Sequence, residues 1–256
     1  MRTQHVQVLS ATQPFDAWPL PARRRLARRA SVAAHARGDL IHAGGSELTA
    51  ATVVADGVVQ ASAAAGGRRV IFEIARGPSL HGLLPLLDGR ALLNDLVALE
   101  PTTTLSIPFE AIREELALSP ALWQGLCQTA AGSARRSAEQ LRQFLFDAPR
   151  VRMAAVLLEL AQGEGPATNG PPVVGVRLPQ DRLAEMLGVS RQWAALLVRE
   201  MSAAGLVDWH YGRATLLDPA GLRGIARGGI NAAVQCRPRP DAPSSANGPD
   251  VIESNA

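Results

Sequence analysis

Three consecutive residues, Ser190, Arg191 and Gln192, combine a helix-capping hydroxyl with two side chains that can each form paired hydrogen bonds. Serine is a favoured N-cap because its side-chain oxygen accepts a hydrogen bond from a backbone N–H of the first helical turn. Arginine can bond guanine through two parallel hydrogen bonds, and glutamine can bond adenine in the same way. A helix that begins at Arg191 therefore has Arg191, Gln192 and Ala195 on its outer face near the N-terminus, where a recognition helix meets base edges.

The apolar residues around Ser190 predict a helix-turn-helix. Leu183, Ala184 and Leu187 share the inner face of a short first helix, and Gly188 supplies the turn. In the second helix the apolar residues recur at intervals of three and four, so they point inward. These inward residues are Ala194, Leu197, Val198 and Met201.

A short hairpin is predicted directly after the second helix. Residues 206–217 read as two strands joined at Tyr211-Gly-Arg, which is the pattern of a β-wing. His210 and Arg213 are placed where a wing can contact phosphates. The alternative for Arg213 is an exposed hairpin position without a nucleic-acid contact.

The overall composition excludes several classes of protein but does not identify a partner. Of 256 residues 47% are apolar, which supports a folded core, and a net charge of +3 is too small to argue for a polyanion. Cys127 and Cys236 stand alone, so neither a disulfide framework nor a metal centre is expected, and no cofactor is predicted. The chain has no apolar run of membrane-spanning length and no signal-peptide pattern, so a cytoplasmic location without membrane contact is expected.

The chain also lacks the common catalytic motifs. We find no Gly-x-Ser-x-Gly, phosphate loop, His-Glu-x-x-His or paired-carboxylate motif, so the protein is not expected to be an enzyme. The alternative to a DNA-binding protein is a protein-interaction module, in which the winged helix contacts a protein and the β region is a scaffold. The salt dependence of binding distinguishes these two functions, because DNA binding weakens steeply as salt rises.

The pattern along the chain predicts an α+β protein of five segments. Turn residues recur about every ten residues between 37 and 108, which is typical of a sandwich or barrel. A long helix follows, with Ser119 as its expected N-cap. Its stripe of Leu122, Leu126, Ala130, Ala134, Leu141 and Leu145 indicates a dimer seam or, alternatively, packing on its own β domain. The segments are a flexible lead-in (1–22), a β-roll (23–118), the long helix (119–146), a winged helix-turn-helix (147–228) and a disordered tail (229–256).

An arginine-rich run spans residues 23–29, at the start of the predicted roll. It could be an arm that binds nucleic acid, but the solvated face of a short helix is the favoured interpretation.

In the predicted helix-turn-helix and, more loosely, in the predicted β-roll, the chain resembles the cyclic-AMP receptor protein/FNR (Crp/Fnr) family of bacterial regulators. The resemblance is most specific in Leu183-Ala-Glu-Met-Leu-Gly-Val-Ser-Arg-Gln, in Gly205-Leu-Val and in Thr215-Leu-Leu-Asp-Pro-Ala-Gly-Leu, and it is looser around His81-Gly-Leu-Leu-Pro-Leu-Leu. It implies an N-terminal cyclic-nucleotide-binding-type β-roll (a jelly roll), a long dimerisation helix and a C-terminal winged helix-turn-helix. The partners it implies are a near-palindromic site in double-stranded DNA, a second copy of the chain and, as a further candidate, RNA polymerase.

Carried over by position, the resemblance assigns roles within the predicted recognition unit. Arg191 matches an arginine that contacts guanine, and Gln192 stands where a glutamate often contacts bases. Leu196 replaces an arginine used for recognition, so the target sequence is expected to differ. The positions that match phosphate contacts are Gln180, Ser190, Trp193 and His210.

The predicted sensor half departs from the family pattern. Cyclic-nucleotide binders carry a Gly-Glu pair and an Arg-Ser or Arg-Thr pair, whereas this chain has Gly82-Leu83 and Leu92-Leu93. A phosphate needs a cation or clustered donors, which two leucines do not offer, so we expect an effector other than cyclic AMP. Arg90 is the nearest replacement cation. The candidate ligand-contacting residues are therefore Gly82, Leu83, Arg90, Leu92 and Leu93.

Other sensing chemistries stay open at this stage. Leu83, Leu84, Leu92 and Leu93 could line an apolar ligand pocket or could be packed shut, which leaves a regulator without a ligand. Three lone histidines (His35, His42 and His81) could ligate haem or a metal, although none shows ligand spacing. Cys127 could act as a redox switch, but a small buried apolar role is expected.

Overall fold

The structure is a computed structural model that describes residues 2–162 and 172–234. The last described helix continues to Val234. The predicted start of the disordered tail at residue 229 is therefore wrong. The remainder of that tail, residues 235–256, lies outside the described residues, and so does Cys236.

The N-terminal segment is folded. It consists of α1 (Arg2–Ser10), a 3₁₀ turn (Phe15–Ala17) and the start of α2 (Leu20–Arg29). The prediction of a flexible lead-in over residues 1–22 is wrong, because Leu9, Phe15 and Trp18 are buried in the same cluster as Leu26. These apolar residues are too scattered in sequence to show a helical period, and their burial depends on contacts with distant elements.

Two four-stranded antiparallel sheets form the β-roll. The strands are β1 (Ser31–His35), β2 (Leu40–His42), β3 (Ala50–Asp56), β4 (Val58–Ala65), β5 (Arg68–Arg76), β6 (Ser79–His81), β7 (Asp95–Ala98) and β8 (Thr102–Pro108). One sheet has the order β1-β8-β3-β6 and the other the order β2-β7-β4-β5. A short helix, α3 (Leu83–Asp88), lies between β6 and β7. The predicted β-roll is thus confirmed.

The roll is closed on one side by helices. Alternate residues of β3 and β8, including Val53 and Leu105, are buried against the N-terminal helices and α4 (Phe109–Leu118). The arginine-rich helix α2 is tied to α4 by Arg25, which donates hydrogen bonds of 2.5 and 2.7 Å to the two oxygens of the buried carboxylate of Glu115. The arginine-rich run is therefore part of a helix, as the sequence predicted.

The long helix α5 (Leu122–Phe146) has 25 residues and begins later than predicted. Ser119 is not its N-cap but ends α4, and a turn follows at residues 119–121. The two ends of the predicted stripe differ in their surroundings. Leu122 and Leu126 pack in the chain's own N-terminal core, whereas Leu141 and Leu145 are exposed.

Within residues 147–162 and 172–234, the structure shows a C-terminal unit of four helices and a two-stranded hairpin. Its elements are α6 (Pro149–Gln162), α7 (Gln180–Leu187), α8 (Arg191–Ala203), β9 (Val207–His210), β10 (Arg213–Leu216) and α9 (Pro219–Val234). The core of this unit extends to Val58 and Leu99 of the roll, and α7 packs against β5. Across residues 2–162 and 172–234, none of the helices has the length and apolar content to cross a membrane.

Candidate nucleic-acid interface

The turn of the helix-turn-helix forms at Gly188. Leu183, Ala184 and Leu187 are buried, as predicted, and fix the inner face of α7. The helix ends because Gly188 adopts a left-handed conformation with φ +63°, and its N–H donates to the carbonyl of Ala184. Glycine adopts this conformation without the steric cost that other residues incur.

Helix α8 begins as the sequence predicted. The Ser190 side-chain oxygen accepts a hydrogen bond of 3.2 Å from the Trp193 backbone N–H, so Ser190 is the N-cap. The predicted inward residues are all buried, and they belong to one cluster with the first helix. They are Ala194, Leu197, Val198 and Met201.

The outer face of α8 is open to solvent near its N-terminus. Arg191, Gln192 and Trp193 are exposed, and Ala195 is half-buried. Arg191 is not free of contacts, since its Nε lies 3.3 Å from Oδ1 of Asp181 on the first turn of α7. This ion pair brings the N-termini of the two helices together. The sequence reasoning missed Asp181, although an acidic residue at the start of a helix is a common signal.

The predicted wing is present as a tight hairpin. Tyr211 (φ +50°) and Gly212 (φ +78°) form its two-residue turn, and His210 pairs with Arg213 across the strands. The Tyr211 side chain is 91% exposed at the tip, a position that the sequence reasoning did not assign. The His210 Nε2 lies 2.8 Å from Oδ1 of Asp208, so a carboxylate holds the ring in place.

Backbone contacts tie the wing to the start of α7. The Leu178 N–H donates to the carbonyl of Gly212 at 2.6 Å, and Arg177 Nε donates to the carbonyl of Tyr211 at 3.0 Å. Gln180, the first residue of α7, therefore lies close to the wing. Direct contacts thus join the start of α7 to the start of α8 and to the wing, which are the three elements that carry the predicted DNA-contacting residues.

The predicted ligand residues in the roll do not form a buried apolar pocket. Gly82 (φ +85°) precedes α3, and Leu83 packs against the N-terminal core. Leu84 and Leu93 are 49% and 73% exposed, so they do not close over a shared cavity. Arg90 is exposed, and its backbone N–H donates to Asp88. Leu92 instead exchanges backbone hydrogen bonds with Gly45 and Ser46.

The three histidines of the roll are partly buried and pair with hydroxyl groups. Burial and, to a smaller extent, the nearby His42 together lower the pKa of His81 to about 4. Burial also lowers the pKa of His42. Within the described residues no group of His, Cys, Asp and Glu side chains is placed to hold a metal ion. Each ring contacts a hydroxyl through Nε2, in the pairs His35–Thr104, His42–Thr52 and His81–Ser79.

Cys127 lies on α5 and is exposed in the chain. The expectation of a small buried residue is therefore wrong for the single chain. Cys127 follows Leu126 in the sequence, but adjacent residues of a helix point in different directions, and Leu126 is the one that faces the N-terminal core.

Comparison with known proteins supports the same architecture. A family model described as the Crp-like helix-turn-helix domain matches residues 151–225. A curated relative, the CRP-like cAMP-activated global transcriptional regulator of Mycobacterium tuberculosis, is 26% identical over 157 residues, which cover 61% of this chain and 70% of the relative.

Solved structures share the fold along most of the chain. FixK2 from Bradyrhizobium japonicum has a TM-score of 0.68 at 16% identity, with 77% of this chain and 96% of that chain covered. The c-di-GMP responsive regulator CLP from Xanthomonas campestris has a TM-score of 0.67 at 14% identity, covering 78% and 100%. A CRP/FNR-family regulator from Thermus thermophilus has a TM-score of 0.64 at 23% identity, covering 77% and 98%.

The roll, the long helix and the winged helix-turn-helix follow one another in the order of these structures, and the family domain matches the part that carries Ser190 and Arg191. Residues 151–225 therefore match a Crp-like helix-turn-helix domain, and the chain as a whole is similar in fold to transcription regulators of the Crp/Fnr family.

Proposed function

We propose that this protein is a sequence-specific DNA-binding regulator that acts as a homodimer on a near-palindromic site and has no catalytic role. The observation that carries the proposal is the capped start of α8, where Arg191 and Gln192 are exposed beside the wing. Arginine and glutamine at this end of a recognition helix can enter the major groove and bond base edges. Because the proposed target is bacterial DNA, we expect the protein to work in the cytoplasm.

The long helix supports the homodimer. Only Leu122 and Leu126 are buried along all 25 residues of α5, which is about 37 Å long. Its C-terminal part exposes Leu141, Leu145 and Phe146 by 60%, 67% and 71%. Apolar surface of this size on one helix favours burial against a partner, and a second copy of α5 is the partner of matching shape and chemistry.

A dimer places two recognition helices on one face of the DNA. Half-sites about one helical turn (~34 Å) apart are then read together, and the site is an inverted repeat. Arg191 reads guanine, Gln192 reads adenine, and the Ala195 methyl faces the base edges. The proposed phosphate contacts are Gln180, Ser190, Trp193, His210 and Arg213.

The effector is not cyclic AMP in this proposal. The mycobacterial relative is described as cAMP-activated, and the Xanthomonas regulator as c-di-GMP responsive. In this chain Leu92 and Leu93 stand where a nucleotide phosphate needs a cation and a hydroxyl, and Leu93 is 73% exposed. Gly82, Leu83 and Arg90 remain candidate contacts for a different ligand.

Two measurements test this function. Light scattering after size exclusion should give twice the 27.0 kDa mass of the chain. Binding to mixed-sequence duplex DNA should weaken steeply as salt rises, because counterions are released from each contacted phosphate. A monomer, or a complex whose affinity does not change with salt, contradicts the proposal and favours the protein-interaction module. RNA polymerase is a further candidate partner, tested by whether promoter-bound protein retains the polymerase.

A further inference from the structure

One arginine joins the end of the long helix to the helix-turn-helix. Arg152, on the first turn of α6, donates from Nη1 to the carbonyls of Phe144 and Asp147, both at 3.1 Å. Its Nη2 donates to the carbonyl of Leu187 at 2.8 Å. Phe144 belongs to the last turn of α5, and Leu187 is the last residue of α7. A single guanidinium thus bonds the C-terminal ends of two helices, where carbonyls lack partners and the helix dipoles favour a cation.

The surroundings of Arg152 hold the group in one position. Its Cζ lies 4.8 Å from the centre of the Phe144 ring, which is a cation–π distance. Burial lowers the pKa of Arg152, and the buried carboxylate of Asp147 partly offsets this effect. Asp147 also lies 3.8 Å from Arg142, so it is placed between two arginines. Lysine cannot replace this group, because only the planar fork of arginine can serve separate carbonyls and stack on a ring at once.

The Phe144 ring also touches the turn before the recognition helix. A Cβ added at Gly188 would overlap the Phe144 ring. Gly188 to Ser190 is the whole connection between α7 and α8, so the ring contact and the bond to Leu187 hold the start of this connection close to the end of α5. We call the Phe144 ring and the Arg152 guanidinium together the Arg152 latch. Their contacts connect the end of α5, the proposed dimer helix, to the turn that precedes the base-reading helix α8.

We propose that Arg152, supported by Phe144, is a positioning residue that sets the distance and angle between the two recognition helices of the dimer, and thereby the half-site spacing that the protein accepts. This inference rests on the proposed dimeric DNA-binding function. Arg152 does not contact DNA in this account, so its loss should leave the affinity for one half-site unchanged. One inserted base pair rotates a half-site by about 34°, which a rigid dimer does not tolerate.

The test compares spacing selectivity between the parent, Arg152→Met and Arg152→Lys. Arg150→Met is the matched control, since it removes an exposed arginine two residues away on the same helix. Duplexes carry the same inverted half-sites at the preferred spacing and at one or two base pairs more or fewer, and a further duplex carries one half-site. Both Arg152 variants should lose about fivefold or more in the ratio of preferred to shifted affinity. Half-site affinity and the control should not change.

Retained spacing selectivity in a folded Arg152 variant overturns the inference. If Arg152→Met fails to fold, as circular dichroism would show, Arg152→Lys and Phe144→Leu carry the test, because both keep most of the local volume. A parent that binds no half-site refutes the proposed function instead of the Arg152 latch.

A measurement without DNA tests the Arg152 latch in that case as well. Spin labels at Ala203→Cys, in a Cys127→Ser/Cys236→Ser background, report the distance between the ends of the two α8 helices in the dimer. The distance distribution should be narrow in the parent and broad in Arg152→Lys. Equal widths would overturn the inference.

Discussion

The ion pair between Arg191 and Asp181 gives a quantitative test of base recognition. Their side chains are 68% and 65% exposed, and an ion pair so exposed contributes about 0–1 kcal/mol. A bidentate arginine–guanine contact contributes about 1–3 kcal/mol. The base contact is the stronger one, so we expect Arg191 to leave Asp181 when DNA binds.

These magnitudes fix the expected effects of two substitutions. Arg191→Ala should weaken binding by about 5- to 150-fold for each half-site and should remove the preference at one base position in each half-site. Asp181→Asn should strengthen binding by at most about fivefold for each half-site, since it removes the competing exposed pair. In an Arg191→Ala background, Asp181→Asn should have no effect, because the arginine that it releases is absent.

Fluorescence anisotropy with labelled duplexes measures all four proteins of this cycle at two salt concentrations. Glu200→Gln is the control, as it removes an exposed negative charge from α8 away from Arg191. If Asp181→Asn tightens binding equally with and without Arg191, the effect is general charge repulsion and the reasoning on the pair is wrong. If Arg191→Ala keeps the parent's base preferences, the recognition helix is misassigned.

Three further predictions follow from the structure. Ser190→Ala should lower the free energy of unfolding in urea by about 1 kcal/mol, because the α8 N-cap is lost, while Ser190→Asp should retain it. Burial depresses the pKa of His81 from 6.5 to about 4, so protonation favours the unfolded chain. The free energy of unfolding should therefore be highest above pH 6.5 and fall by about 3 kcal/mol as pH drops to 4, a loss that should be absent in His81→Asn. Leu196, which is 40% exposed on the outer face of α8, should contact a thymine methyl group. Replacing that thymine by uracil should then weaken binding by the parent but not by Leu196→Ala, and equal losses in both proteins would exclude this contact.

The helix-turn-helix could be predicted in detail because its signals are local. Ser190 and Gly188 mark the ends of two helices, and the burial of Leu197 and Met201 follows from helical spacing alone. The roll was predictable as a class of fold, since turn residues recur at short intervals. Its strand order was not, because pairing between β3 and β8 joins residues about 50 apart.

The errors arise where burial depends on distant contacts. Phe15 and Trp18 lie in a proline-containing segment without a helical period, yet their rings meet edge to face with centroids 5.1 Å apart inside the N-terminal core. The ion pair of Asp181 with Arg191 and the bonds of Arg152 to backbone carbonyls depend on side-chain geometry, which residue spacing does not predict. The long helix lies between these cases: its length was predictable, but the division of its stripe into a buried start and an exposed end was not.

Sequence-specific binding by a dimer can be measured by selection of random duplex DNA on the purified, ligand-free protein near physiological salt. We expect enrichment of an inverted repeat whose half-sites lie about one helical turn apart. Arg191→Ala should lose the preference at one position of each half-site. If no sequence is enriched, either with the protein alone or after cell extract is added to supply an effector, the protein is not a sequence-specific DNA-binding dimer.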